Sequence, residues 1–262
     1  MIFAAKREIR MSKPVLSVVA PVYNEEESLQ EFYDRLKKSL AGLGVKTEIL
    51  FVDDGSQDAS ASILGRIRKS DPSVRVLSFV RNFGHQIALK AGIDHAEGDA
   101  VVTIDADLQD PPEVIAEMFT EWQSGHDVIY AVRAEREGET FFKKSTAALF
   151  YRLLKSVSSV DLPLDAGDFR LMSRRVADVV REVREKEPYI RGWVAWAALR
   201  PKPVRIHRQA RFAGRTKYSL FKMMRLALSG FLQFSFRKPG LDRISQDQPA
   251  REPLYVLRED GI

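Results

Sequence analysis

The chain has 262 residues, 45% of them hydrophobic, enough for a sizeable core in one large domain or in one domain with appendages. It has no cysteine, which excludes disulfides, thiolate metal sites and cysteine nucleophiles. A formal net charge of +5 points to an anionic partner: nucleic acid, a membrane surface or a phosphorylated substrate.

Residues 1–14 mix charges with apolar residues and lack a secretory pattern, so they read as an N-terminal extension. Residues 16–22 predict a strand that ends at Pro21, Val22, Tyr23, Asn24 and Glu25. Asn24 is placed to cap a helix over 26–40, in which Leu29, Phe32, Leu36 and Leu40 share a face. Residues 47–52 predict a second strand, running into Asp53, Asp54, Gly55 and Ser56, then a helix to about Lys69. A third strand over 74–80 leads to Arg81, Asn82, Gly84 and His85, then a helix from Ile87 to His95. Residues 101–104 form a short apolar run, as in a buried strand, that stops at Asp105. Pro111 and Pro112 end the extended stretch, and Pro112 suits the first turn of a helix to Trp122. A fifth strand over 127–132 meets Arg133.

Strands alternating with helices predict right-handed βαβ units, a mainly parallel sheet and helices on both faces. Such sheets bind ligands at the carboxyl ends of their strands. Here strand after strand ends in polar groups. Any one of these ends could be an ordinary polar loop, but together they predict a site. Asp105 and Asp107 lie on the same side if the backbone stays extended. Two such carboxylates repel unless a cation separates them. A hard divalent ion, Mg²⁺ or Mn²⁺, suits their oxygens and leaves positions for phosphate. The competing reading is a solvated turn or helix cap. A nicotinamide-binding domain would need a glycine-rich turn after the first strand, and residues 21–25 contain no glycine.

The second half is more basic. Arg133 opens a segment reaching Lys143, Lys144 and Ser145, followed by an apolar stretch over 147–154. Over 220–236, Lys222, Arg225, Ser229 and Gln233 form one polar stripe on a helix roughly 25 Å long whose other residues are nearly all apolar. That pattern suits a helix lying in a membrane interface, with docking on the core as the alternative. No run of about 18 apolar residues occurs, so no spanning helix is predicted. Residues 239–262 are charged and proline-broken and predict a disordered tail. Basic residues spread around an acidic cleft, with no recognition motif, argue against nucleic acid.

Four segments together carry a resemblance: 19–25 (VAPVYNE), 51–56 (FVDDGS), 81–86 (RNFGHQ) and 105–113 (DADLQDPPE). They resemble inverting family 2 glycosyltransferases of the GT-A fold. The likeness is greatest to polyprenyl-phosphate glycosyltransferases, including bacterial undecaprenyl-phosphate glucosyltransferases and dolichyl-phosphate mannose synthases, and it covers about 15–236. It implies a GT-A domain over 15–218, an amphipathic membrane-interface helix over 219–238, and a tail over 239–262 where relatives continue into two transmembrane helices.

The resemblance also implies roles. Pro21, Tyr23, Glu25 and Asp53 would line the nucleoside pocket. Asp54 would join them or fix the Gly55–Ser56 turn. Asp105, Asp107 and Gln109 would hold Mg²⁺ or Mn²⁺ and the diphosphate. Arg81 would contact donor phosphate or close its turn, and His85 would be structural. Asp168, in a segment from Asp165 to Arg174, would be the catalytic carboxylate alongside Asp107, or would orient the acceptor. Tyr189, Arg191 and Trp193 would cover the sugar, with Trp193 and Trp196 alternatively in the core. Arg133, Lys143, Lys144, Ser145, Arg215 and Lys217 would meet lipid phosphate. The implied partners are a nucleoside-diphosphate sugar (UDP-glucose favoured), a polyprenyl phosphate such as undecaprenyl phosphate, and the cytoplasmic membrane surface. A homo-oligomer is left open. Two other readings stand beside this one: a soluble family 2 transferase acting on a glycan or protein, and a non-catalytic peripheral membrane protein that binds a nucleotide sugar.

Overall fold

The computed structural model describes residues 13–133, 166–185, 188–207 and 254–258. In chain order the elements are β1 (Leu16–Val22), α1 (Leu29–Ala41), β2 (Thr47–Asp53), α2 (Ser60–Ser70), β3 (Val74–Ser78), α3 (His85–His95) and β4 (Ala100–Thr103). A 3₁₀ turn at Pro112–Val114 leads into α4 (Ile115–Gln123). There follow β5 (Val128–Arg133), β6 (Ala166–Ser173), α5 (Arg174–Arg181), α6 (Ile190–Ala197) and β7 (Pro201–Ile206).

The strands form one sheet in the order β3-β2-β1-β4-β6-β5-β7. β1 pairs in parallel with β2 and β4, β2 with β3, and β5 with β7. The expected parallel architecture holds for these. β6 departs from it: it runs antiparallel to both β4 and β5. The sheet is therefore mixed. Because β6 runs backwards, its first residues lie beside the carboxyl end of β4.

Helices cover both faces. One core layer joins Leu16, Val18, Ala20 and Val22 of β1 to Leu29, Phe32 and Leu36 of α1, Leu64 of α2 and Met118 of α4. The other joins Val19 to α3, α5 and α6 through Ala88, Val176 and Val194. β1 buries all seven residues, which explains its unbroken apolar sequence. Helix α3 packs so closely that a Cβ on Gly92 would lie 2.1 Å from Val19 Cγ1.

Some local expectations change. Helix α1 begins at Leu29, and Asn24 does not cap it. Asn24 takes a left-handed φ of 53°, and its side chain serves the next loop. Residues 254–258 are docked on the β3 edge, so the expectation of disorder across 239–262 fails for these five. Leu257 forms an antiparallel bridge with Phe79, Val80 N–H donates to Val256 C=O (3.1 Å), and Arg258 N–H donates to Ser78 C=O (2.8 Å). No helix among the described residues is long and apolar enough to cross a membrane. The basic segment with Lys143, Lys144 and Ser145, the segment with Arg215 and Lys217, and the striped stretch 220–236 lie outside the described residues.

Candidate active site

The site lies where the first four strands end and β6 begins. The loop after β1 is stitched to the loop after β2. Asn24 N–H donates to Ser56 Oγ (3.0 Å), Gln57 N–H to Asn24 Oδ1 (2.8 Å), and Glu25 N–H to Ser60 Oγ (2.9 Å). Pro21 is buried at the end of β1, while Tyr23 and Glu25 are half-buried above it.

The two aspartates where β2 ends divide their work differently from expectation. The Ser56 turn is fixed by Asp53, whose Oδ1 accepts from Ser56 N–H (2.9 Å). Its Oδ2 is buried and has no hydrogen-bond partner among the described residues. Asp54 reaches the next loop instead. It accepts from Phe83 N–H (2.6 Å), Gly84 N–H (3.0 Å) and Asn82 Nδ2 (2.9 Å). Burial raises its pKa, and the two backbone donors work against that rise. Between the loops stands Gly55, at φ +69°, where a Cβ would lie 2.5 Å from Arg81 C. Only glycine allows both this conformation and this approach. Arg81 itself is exposed. Its guanidinium donates to Asn82 C=O (3.2 Å) and stacks 4.0 Å above the Phe83 ring.

Across the cleft, the β4–β6 ladder pairs Thr103 with Arg170. Continuing that register by two residues brings Asp105 level with Asp168. Thr103 Oγ1 holds the Asp168 carbonyl (2.5 Å). His85, the first residue of α3, lies between the two carboxylates: Nε2 is 3.5 Å from Asp105 and 3.2 Å from Asp168. Burial opposes charge on this imidazole, but the two aspartates outweigh it and lift its pKa to about 9. The fold places His85, read from the sequence as structural, between these two aspartates. Its signal in the sequence was its place just after a glycine, at a helix start beyond a strand end.

Asp168 is buried and tightly held. Arg191 grips it with two parallel bonds, Nε to Oδ1 (2.8 Å) and Nη2 to Oδ2 (2.9 Å). Gln86 adds a longer contact (3.4 Å) and also accepts from Ile190 N–H, joining α3 to α6. Burial alone would favour the protonated acid. Arg191 and His85 overcome that and hold the carboxyl well below the usual range. Trp193 is buried and meets Trp196 edge-on at 5.8 Å, so it belongs to the core and does not cover the cleft.

Asp107 is buried, and its Oδ1 accepts from Gln109 N–H (3.1 Å). Leu108 between them takes a φ of 61°, a strained conformation for leucine, with its side chain packed in the core. Among the described residues no group of three or more His, Cys, Asp and Glu side chains is arranged to enclose an ion. β4 ends at Thr103 and the chain turns at 106–107, so the extended backbone expected to put Asp105 and Asp107 on one side does not continue. Asp105 faces His85 and Asp107 holds Gln109 N–H; as carboxylates both are oxygen donors of the kind a hard cation takes, with a diphosphate to supply further ligands. Arg133 ends β5.

The family model described as Glycosyl transferase family 2 matches residues 17–181. The glycosyltransferase YkcC of Bacillus subtilis is 51% identical over 84% of this chain and 68% of its own length. A prophage bactoprenol glucosyl transferase homolog of Escherichia coli is 41% identical over 84% of this chain and 72% of its own. Among solved structures, glucosyl-3-phosphoglycerate synthase of Mycobacterium tuberculosis, in complex with Mn²⁺, UDP-glucose and phosphoglyceric acid, superposes with a TM-score of 0.53. It is 21% identical, over 88% of this chain and 80% of that one. Mannosyl-3-phosphoglycerate synthase of Rubrobacter xylanophilus gives 0.57 at 17% identity, over 92% and 78%. These two share the fold, and the family match together with the closer relatives identifies the chain as a member of glycosyl transferase family 2.

Proposed function

We propose that this glycosyltransferase moves glucose from UDP-glucose to a polyprenyl phosphate, with inversion, at the cytoplasmic face of the membrane. The observation that carries the mechanism is the paired grip of Arg191 on Asp168 beside Asp105. It supports a cleft with a carboxylate wall on the donor side and an oriented cation facing the acceptor. The likeness to bactoprenol glucosyl transferases supports the acceptor and the sugar.

In this reading Asp53 Oδ2 accepts a hydrogen bond from the donor base, since it is the buried oxygen left over after Ser56 is held. Pro21, Tyr23 and Glu25 wall the nucleoside. Asp105 and Asp107 would hold a divalent ion, Mg²⁺ or Mn²⁺, which when bound neutralises charge on the departing diphosphate. An acceptor phosphate oxygen attacks the anomeric carbon. The new C–O bond forms as the bond to the diphosphate breaks, and the nucleoside diphosphate leaves. A phosphate monoester has a second pKa near about 6 and is largely ionised at neutral pH. It needs no proton removed. Asp168 therefore acts by holding Arg191 towards the acceptor phosphate, with no role as a base. Arg133, Lys143, Lys144, Ser145, Arg215 and Lys217 add further cationic and hydroxyl groups for that phosphate.

The test is a transfer assay with undecaprenyl phosphate and UDP-glucose, UDP-GlcNAc or GDP-mannose, with Mn²⁺ or EDTA. Glucosyl lipid forming with Mn²⁺ and vanishing with EDTA or in Asp107→Ala supports the reading. No lipid product while UDP still binds overturns it in favour of a non-catalytic nucleotide-sugar binder.

A further inference from the structure

The docked C-terminal segment touches the β3 edge at the point from which the Arg81–His85 turn departs. Its backbone clamps Ser78 and Val80 on either side of Phe79. Tyr255 stacks on the Phe79 ring, with centroids 5.3 Å apart and planes at 22°. Phe79 meets Phe83 edge-on at 5.4 Å, and Phe83 carries the Arg81 guanidinium on its face. One aromatic column thus runs from the C-terminal segment to the exposed arginine at the cleft. From the opposite side Asp54 holds the same turn through Phe83, Gly84 and Asn82.

The Tyr255 end of the column is also fixed. Its hydroxyl lies 3.4 Å from Asp94 Oδ2, and the other Asp94 oxygen is 2.5 Å from Lys90 Nζ. Lys90 is almost fully buried and also donates to Arg181 C=O (3.0 Å). A buried ammonium needs such partners, so Asp94 cannot readily swing away. Burial and Asp94 both raise the Tyr255 pKa, which keeps the phenol neutral and able to donate. β3 is an edge strand of the sheet, and the segment covers that edge beside the turn.

We propose that Tyr255 is a positioning residue: by stacking on Phe79 it holds the Phe79–Phe83–Arg81 column, and with it the donor side of the cleft, in the shape that binds nucleotide. The donor-side assignment rests on the proposed function, while the mechanical coupling does not. The ring stack is the working contact, and the hydroxyl secures it.

The experiment compares the full chain with Tyr255→Ala and Tyr255→Phe. Hydrogen exchange is read over residues 79–86 and, as a control, over β1 and β4, together with the Kd for UDP in the presence of Mn²⁺. Tyr255→Ala is expected to speed exchange over 79–86 about tenfold with β1 and β4 unchanged, and to weaken UDP binding about five- to tenfold. Tyr255→Phe, which keeps the ring, is expected to restore both within about twofold. Unchanged exchange over 79–86 in Tyr255→Ala overturns the coupling. Exchange rising equally in β1 and β4 also overturns it, because the residue would then serve global stability alone. If wild-type protein fails to bind UDP, the proposed function fails, and the exchange comparison still decides the coupling.

Discussion

Arg191 and Asp168 meet as a two-bonded fork, at 2.8 and 2.9 Å, although they are far apart in sequence and only one of them was predicted to be catalytic. The pair has two consequences. An aspartate gripped this way cannot rotate to take a proton. An arginine so held presents its remaining N–H groups in a fixed direction.

Asp168→Asn keeps the volume but removes the charge and one acceptor. Turnover is expected to fall about 100-fold or more through misplacement of Arg191. Stability should fall by about 1–3 kcal/mol, below the usual cost of breaking a buried pair because the Arg191 side chain is 36% exposed. Steady-state kinetics and urea unfolding measure the two effects. Wild-type turnover in Asp168→Asn would exclude the positioning role.

The depressed pKa of Asp168 keeps it charged throughout pH 5–9. On the proposed function, any acid limb of turnover near about pH 6 then belongs to the acceptor phosphate. A thiophosphate acceptor, which ionises at lower pH, should move that limb downward. A limb that stays in place would assign the titration to the protein.

Asp53 and Asp54 are neighbours with separable tasks. Asp54→Ala strands two backbone N–H groups and should cost about 2–4 kcal/mol of stability. In Asp53→Asn the amide oxygen keeps the Ser56 bond and the NH₂ replaces the unpartnered Oδ2. Stability should change little, while the Kd for UDP rises about tenfold or more, some 1.4 kcal/mol. Calorimetry and denaturation on both variants distinguish these outcomes, and the assignment falls if the two swap behaviour.

Gly55→Ala forces a side chain into a left-handed backbone and against the Arg81 and Asn82 backbone atoms. The loops after β2 and β3 must then separate. We expect a loss of about 2–4 kcal/mol together with weakened nucleotide binding. Thermal melts with and without UDP would reveal it, since a stability loss without a binding loss would mean that the loop spacing is irrelevant to the site.

Asp71 should contribute to acid sensitivity. This buried carboxylate lies 2.6 Å from Lys37 Nζ and accepts from Tyr33 and Ser73, and its pKa is lowered to about 2 despite burial. A folded-state pKa below the unfolded value stabilises above about pH 4 and loses that contribution as pH falls towards 2. The contribution is on the order of 1–2 kcal/mol, discounted for the half-exposed Lys37. Asp71→Asn should flatten the stability profile across that window in urea titrations. An unchanged slope would rule Asp71 out as its source.

The sequence by itself determined the parts governed by local periodicity. Apolar runs separated by amphipathic helices set β1 to β5 and their helices. Polar residues where each run stops marked the cleft edge, and the absence of a glycine turn after β1 removed the dinucleotide-binding alternative. Only the tertiary structure decided what depends on partners. Residues 166–173 carry a glycine, an aspartate and an arginine and do not read as a strand. They become one because β4 and β5 supply hydrogen bonds from both sides, and the reversed direction brings Asp168 beside Asp105. Which of Asp53 and Asp54 fixes which turn depends on how loops far apart in sequence approach each other. His85, Arg191 and Tyr255 are ordinary residues until folding sets charged or aromatic neighbours beside them. Such pairings arise from long-range packing, and a one-dimensional pattern carries no distance between them.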